Sequence, residues 1–318
     1  MRAPEFWHAP PGLAAGLLAP AGFAVDAAGR LRRALARPYR AGVPVICVGN
    51  LVAGGSGKTP VVLSLAGRLP GAAAVTRGYG GRLAGPVRVD PARHDAAAVG
   101  DEALLLAARL PCWVARDRAA GVRAAEAAGA RLVLLDDGFQ NPGVAKDLCL
   151  VAVDAEYGFG NRRVIPAGPL RERVEPGLAR AGAVVLLGDA PPPAGLAGCG
   201  RPILAATLVP VDGERFAGRR LVAFAGIGRP EKFFALLRRL GAELVAARPF
   251  PDHHRYRAGE LAGLHRLAER EGAGLVTTAK DWVRLAPAAR AGIAVLDIAV
   301  AWRDPEALAA VLAPFADG

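Results

Sequence analysis

Short apolar runs alternate with alanine-rich stretches of helical spacing along the whole chain. A continuous apolar run bounded by turn residues reads as a strand covered on both faces, and the stretches between read as the helices that cover it. The runs predict strands at residues 43–48, 73–76, 112–115, 131–136, 148–154, 183–187 and 203–209, the pattern of a parallel sheet flanked by helices. A second alternation predicts strands from Leu221 and at 244–250, 275–278 and 293–298, with helices at 230–240 and 260–270. The chain thus divides into a larger lobe, residues 1–215, and a smaller α/β lobe, residues 216–318. A closing helix from Pro305 is free to return to the first lobe, and the Pro/Gly-rich stretch at 188–202 reads as a surface loop.

The most specific local order lies between residues 45 and 60, where an apolar strand runs into a glycine-rich turn and then into Lys58-Thr59 at a helix start. Chain of this kind closes backbone amides around a polyphosphate. Val52, Ala53, Gly54, Gly55, Ser56 and Gly57 form the loop, Lys58 reaches the β and γ oxygens, and the Thr59 hydroxyl can ligate Mg²⁺. Val62, Leu65, Ala66 and Leu69 fall on one face of the helix that follows. Position 52, where the usual pattern has its first glycine, is Val, so the turn must be made by Gly54 and Gly55. The expected fold is therefore a P-loop NTPase-type parallel sheet, with a nucleoside triphosphate as leading ligand.

Charge widens the choice of partner without making it. The chain of 318 residues carries a formal charge of +11, which suits nucleic acid, an anionic membrane or a phosphorylated substrate. No run of Lys or Arg exceeds two residues, and Tyr and Trp are not interleaved with basic residues as a base-stacking platform requires, so no nucleic-acid partner is expected. Cysteines at 47, 112, 149 and 199 lack metal-ligand spacing and fit a reducing compartment. At the amino end Phe6, Trp7, Leu13, Leu17 and Leu18 suggest an apolar face dipping into lipid, with Arg30, Arg32, Arg33, Arg37 and Arg40 behind it for anionic head groups. The same face could instead dock on its own domain. Pro10, Pro11 and Pro20 interrupt the segment as a membrane span, and a lone Arg2 makes a poor signal peptide.

Carboxylates stand where an α/β sheet puts its chemistry. The run ending in Asp136-Asp137-Gly138-Phe139-Gln140 delivers two acids at a strand's carboxyl end, suited to holding Mg²⁺ opposite Thr59. Asp101 and Glu102 sit at a helix start, where N-capping is the structural alternative to a role as base for an acceptor hydroxyl. Asp252-His253-His254 lies in a turn of the second lobe and can serve such a carboxylate only if that lobe closes over the first. Arginines beside glycines at Arg77, Arg116, Arg118, Arg162, Arg163 and Arg171 offer guanidinium groups to phosphates, and Lys280 offers a further cation.

Taken in order, Gly49-Asn50 through Gly54-Gly55-Ser56-Gly57-Lys58-Thr59-Pro60, Thr76-Arg77-Gly78-Tyr79-Gly80, Gly100-Asp101-Glu102, Asp136-Asp137-Gly138-Phe139-Gln140, Pro166-Ala167-Gly168-Pro169-Leu170-Arg171-Glu172, Phe224-Ala225-Gly226-Ile227-Gly228, Phe250-Pro251-Asp252-His253 and Lys280-Asp281 resemble the tetraacyldisaccharide 4′-kinases, the lipid A 4′-kinases of Gram-negative bacteria. The resemblance implies transfer of the ATP γ-phosphoryl group to the 4′-hydroxyl of an acylated glucosamine disaccharide 1-phosphate. It implies an amino-terminal helix held peripherally at the cytoplasmic face of the inner membrane; an anionic membrane surface as partner and a monomer are expected. Asp101 then matches the base, His253 its partner, and Lys58 and Thr59 the nucleotide and metal residues. Metal ligation is shared among Thr59, Glu102, Asp136 and Asp137, and Arg77, Arg116 and Arg171 are the substrate-phosphate candidates. Asn141 and Ala279 depart from the family pattern, where His and Glu are frequent. A GTPase or metallochaperone, a nucleic-acid-dependent ATPase and an exported binding protein are the other classes; the first needs a guanine-reading Asn/Thr-Lys-x-Asp segment, which Thr278-Ala279-Lys280-Asp281 does not match in spacing.

Overall fold

The computed structural model describes residues 4–55, 57–196 and 198–316. Helix α1 (Leu13–Leu35) leads to β1 (Val45–Gly49), α2 (Lys58–Ala66), β2 (Ala72–Thr76), β3 (Val87–Arg88), α3 (Ala96–Val99), α4 (Asp101–Ala107), β4 (Cys112–Val114), α5 (Arg118–Ala127), β5 (Leu132–Asp136), β6 (Leu148–Asp154), α6 (Val174–Ala179), β7 (Ala183–Leu187) and β8 (Ile203–Val211). The second lobe supplies β9 (Arg220–Ala225), α7 (Pro230–Arg239), β10 (Glu243–Pro249), α8 (Ala258–Arg270), β11 (Gly274–Thr278), α9 (Ala279–Trp282), β12 (Ile293–Trp302) and α10 (Pro305–Leu312).

These strands form one sheet in the order β10-β9-β11-β12-β8-β7-β6-β1-β5-β2-β4-β3. Both lobes are internally parallel apart from the edge strand β3, and they join where β12 runs antiparallel to β8, from Asp297 opposite Val211 to Trp302 opposite Ala206. That seam takes β12 to Trp302, past the apolar run ending at 298, because its far half finds a partner in β8. Every residue of β1, β2, β5 and β7 is buried, as strands covered on both faces must be.

Alternate side chains feed two apolar layers. Ile46, Val48, Leu134 and Leu150 pack with Leu65 of α2 and with Trp302, Leu308 and Leu312, so α10 completes the core of the first lobe. The Trp302 indole donates to Ser64 Oγ at 2.8 Å from that layer. Cys47, Val133, Leu135 and Val151 face the opposite layer with Val122, Leu170 and Leu178. Strand β1 lies between β5 and β6, while the chain leaves it for β2 on the far side of β5; strand order reverses here, and the crevice at the carboxyl ends opens above it.

Helix α1 runs unbroken through Pro20. Losing one N–H is a local cost, and the following turns are pinned: Gly22 lies so close to the Val164 carbonyl that a Cβ would come within 2.6 Å of it, and Asp26 binds Arg30 and Arg173. Leu13, Leu17, Phe23, Leu31 and Leu35 stay exposed along the helix, and Leu18 is half-buried. Phe6 and Trp7 do not extend that row. They sit in a short turn where the Trp7 indole donates to the Pro166 carbonyl and Asn161 donates to the Phe6 carbonyl. Among the described residues no helix is long and apolar enough to cross a membrane.

Candidate active site

Buried Asn50, just past β1, shapes the loop: its side-chain amide donates to the carbonyls of Val52 at 2.6 Å and Gly54 at 3.4 Å. From outside, the segment before Glu172 braces it, with Ala53 N–H on the Pro169 carbonyl, Arg171 N–H on the Leu51 carbonyl and a bridge between Val52 and Leu170. Gly57 caps α2 in the left-handed region at φ +74°, and a Cβ there would lie 2.5 Å from Leu187 Cδ1. Gly54, at φ +114°, makes the earlier turn, so the Val at position 52 is accommodated. Ser56 lies outside the described residues. Lys58 and Thr59, first in α2, are both buried, and Lys58 Nζ is 3.8 Å from Asp137 Oδ1.

The two acids at the end of β5 behave differently. Asp136 is fully buried, and neither of its oxygens has a hydrogen-bond partner among the described residues. Burial, then the nearby Glu102 charge, pushes its carboxyl up to about 8 against the pull of Lys58. Asp137, whose backbone turns at φ 56°, is held below the carboxylate range: burial opposes this, but Lys58 and the Arg171 guanidinium at 2.7 Å outweigh it. Gln140 donates to the Asn50 carbonyl at 2.8 Å and to Glu172 at 3.0 Å, tying the strand-end turn to the loop.

Across the crevice, the start of α4 presents Asp101 and Glu102. Asp101 caps nothing beyond its neighbour: Oδ1 accepts the Glu102 N–H at 2.9 Å, while Oδ2 lies 3.0 Å from His253 Nδ1. The interlobe contact that the Asp–His pairing requires is thus made. Burial alone would raise the Asp101 carboxyl, yet the His253 hydrogen bond, Lys280 and Arg284 hold it well below the ordinary carboxylate range. Glu102 is paired with Lys280 Nζ at 3.2 Å. His253 sits in a turn at φ 57° between β10 and α8, its ring 5.5 Å from that of Tyr79. His254 belongs elsewhere, stacked on Phe250 and bound to Glu260 of α8.

The arginines separate. Arg171 enters the site through Asp137; Arg116 is exposed, with its guanidinium 3.4 Å from the Arg82 carbonyl; Arg77 is exposed near Arg118. Arg118 is buried at the start of α5, gives one bond to the Ala115 carbonyl, and interacts with Asp137 and Asp136. Of the Arg116–Arg118 pair, the inward member is therefore Arg118; its place at the first turn of a helix after a strand end was the available signal. Arg284, absent from any motif, reaches Asp101 from the turn after α9 and shares the helical spacing of Lys280 four residues earlier. Around Lys280, which faces the site, the segment is structural: Thr278 caps α9, and buried Asp281 accepts from Gly226 N–H, Tyr256 and Arg284.

A glycine-rich loop ending in a buried lysine at a helix start, together with a paired carboxylate and imidazole, suits phosphoryl transfer to a hydroxyl, and the class is that of P-loop phosphotransferases. The sequence profile of the tetraacyldisaccharide-1-P 4′-kinase family matches residues 14–316. The chain is 57% identical to a tetraacyldisaccharide 4′-kinase of Rhodospirillum centenum, covering 100% of this chain and 98% of the relative. It is 55% identical to one of Dinoroseobacter shibae over 98% of this chain and 97% of that one. A solved structure of LpxK from Aquifex aeolicus in complex with ATP superposes with a TM-score of 0.77 at 26% identity, covering 95% of this chain and 99% of that one. The chain belongs to the tetraacyldisaccharide 4′-kinase family, whose members are phosphotransferases with an alcohol group as acceptor.

Proposed function

We propose that this chain transfers the γ-phosphoryl group of ATP to the 4′-hydroxyl of tetraacyldisaccharide 1-phosphate in lipid A biosynthesis, working at the cytoplasmic face of the inner membrane. The observation that carries the division of labour is the Asp101–His253 contact of 3.0 Å, made between lobes next to Glu102, whose charge acts on Asp136 as that of Lys58 does. Residues 52–59 hold the triphosphate, Lys58 meets its terminal oxygens, and Arg171 and Arg118 supply further positive charge at the phosphates. Asp101, oriented by His253, aims the acceptor hydroxyl and takes its proton. In a loose phosphoryl-transfer transition state that proton leaves late, so an ionised, fixed carboxylate serves better as an aiming group than a strongly basic one.

Asp136 fits a divalent cation, since two buried oxygens without partners among the described residues are costly unless something else satisfies them. Thr59, and Glu102 if it leaves Lys280, are the other candidate ligands. Among the described residues no group of three His, Cys, Asp or Glu side chains is placed to hold a metal ion by itself, so phosphate oxygens and water would complete the Mg²⁺ shell. When bound, Mg²⁺ would neutralise charge on the transferred group. The exposed row from Leu13 to Leu35, with Arg30 and Arg32 exposed on the same helix and Arg37 exposed just beyond it, supports α1 as the element that lies on an anionic membrane.

Labelled ATP and the disaccharide 1-phosphate in detergent test the proposal: a bis-phosphorylated lipid is expected. Asp101→Asn should lower kcat by about 10²–10⁴-fold while ATP affinity stays within about threefold. Full turnover in that variant, or equal loss of ATP affinity and kcat, would remove Asp101 from its role.

A further inference from the structure

Asp101 has a second ligand that no motif announces. Arg284 Nε donates to Asp101 Oδ2 at 2.7 Å and Nη2 donates to the same oxygen, which also faces His253 Nδ1. The third guanidinium nitrogen, Nη1, donates to the Gly226 carbonyl at 2.6 Å and to Asp281 Oδ1 at 2.8 Å. Both the arginine and its partners are nearly sealed from water, with 4% side-chain exposure for Arg284 and Asp101 and none for Asp281. The planar fork therefore ties three elements together: the end of β9, the turn after α9 and the first residue of α4. Asp281, the anion on the second-lobe side, is itself fixed by the Gly226 N–H at 2.9 Å, Tyr256 at 2.8 Å and Thr278.

We infer that Arg284 is a positioning residue for the phosphoryl transfer proposed above: it locks the Asp101 carboxylate in one plane and sets the second lobe against it, so that His253 and Asp101 meet. With Oδ2 filled by Arg284 and His253, the lone pairs left for an acceptor hydroxyl are on Oδ1, whose other contact is the Glu102 N–H. Arg284 thus chooses which oxygen of the base works. The cavity of about 220 Å³ beside it, lined by Tyr79, Gly80, Asp101, His253, Arg255 and Arg284, leaves room for a group to approach. A lysine cannot replace it, because one ammonium cannot span Asp101, Asp281 and the Gly226 carbonyl as a rigid fork does.

The inference rests on Asp101 being the acceptor's base, and the test separates the two. Arg284→Met, Arg284→Lys and Arg284→Ala are assayed for kcat, for KM of ATP and of the acceptor, for nucleotide binding and for thermal midpoint, with Asp101→Asn alongside. Misplacement of a catalytic group by about 1 Å costs about 100-fold, so Arg284→Met should lose about that in kcat with KM for ATP changed less than about threefold. Arg284→Lys should recover only part, and millimolar guanidinium added to Arg284→Ala should restore turnover several-fold without raising its thermal midpoint. A purely structural arginine would show stability and activity falling together with no rescue, which overturns the inference; so does a kcat that is unchanged or higher in Arg284→Met. If Arg284→Met does not fold, Arg284→Lys decides, since wild-type kcat in that variant refutes the need for a fork. Loss of turnover in the Arg284 variants with none in Asp101→Asn would instead overturn the reading of Asp101.

Discussion

Replacing Asp136 by Asn should stabilise the protein and disable it at once. The carboxyl is fully buried and without a hydrogen-bond partner among the described residues, and its folded value of about 8 stands against an ordinary 3.8. For a carboxyl raised on folding, the stability contribution is complete below the unfolded value and is lost as pH rises through the folded one, because the folded site keeps a proton that the unfolded chain has released. The window is therefore from about pH 4 to about pH 8, and at pH 7 the accumulated penalty is on the order of 4 kcal/mol. Asparagine removes the titration but leaves a buried amide short of partners, at about 1–3 kcal/mol. The net expectation at pH 7, without nucleotide or metal, is a gain of about 1–3 kcal/mol over the wild type. Urea unfolding followed by tryptophan fluorescence at pH 5 and pH 8 gives the comparison: the wild type should lose more stability across the window than Asp136→Asn. Turnover should fall by at least about 100-fold in the same variant, since the neutral side chain no longer offers a charged ligand. Mg²⁺ with ATP should flatten the wild-type pH slope and leave that of the variant unchanged. Parallel pH slopes for the two proteins without ligands, or an Asp136→Asn variant less stable at pH 8, would refute the view of Asp136 as a strained, unpartnered acid.

Two further outcomes follow from local geometry. Gly57→Ala places a Cβ at φ +74° and 2.5 Å from Leu187 Cδ1, so a loss of about 1–3 kcal/mol is expected in chemical denaturation, whereas Gly55→Ala, whose Cβ meets nothing within 4 Å, should be near neutral in stability. Leu17 and Phe23 are 82% and 70% exposed, and burial of such side chains in lipid is worth about 1.5–3 kcal/mol each. The double variant Leu17→Glu/Phe23→Glu should lose flotation with phosphatidylglycerol vesicles by about 100-fold or more while its detergent activity is kept, and unchanged flotation would remove α1 from the membrane.

What could be read along the chain was what repeats locally. Every predicted strand of the first lobe forms, because a run such as 131–136 carries both its burial and its turn signal within a few residues. The phosphate loop was legible for the same reason, and so were Asp101 and His253, though only as separate segments. What periodicity could not give was the antiparallel seam between β8 and β12, since pairing partners more than eighty residues apart leave no mark on either strand's own pattern. The segment is no membrane span, as expected, yet Pro20 does not break the helix: whether a proline does so depends on what holds the turns beyond it, and Gly22 and Asp26 are held by residues 164 and 173. Nothing in the two residues themselves tells Arg116 from Arg118, because which of the two points inward is set by the start of α5. Arg284 lies in Trp282-Val283-Arg284-Leu285, which by itself reads as the flank of an amphipathic turn.

Three of the site's four acids show why burial alone does not assign roles. Asp101, Asp136 and Asp137 all lose hydration, and in each case desolvation pushes toward the neutral form. What separates them is the company kept: His253, Lys280 and Arg284 hold Asp101 ionised, Lys58 and Arg171 hold Asp137 ionised, while Asp136 has Glu102 beside it and no hydrogen-bond donor among the described residues. An acid whose charge is already compensated by protein is free to aim a hydroxyl. An acid whose charge the protein leaves uncompensated is one that an incoming cation must complete. Environments that drive neighbouring carboxyls apart in this way would divide the labour of the site as proposed, with the base where the second lobe supplies cations and the metal position at Asp136, where burial and the Glu102 charge outweigh Lys58 and Arg118.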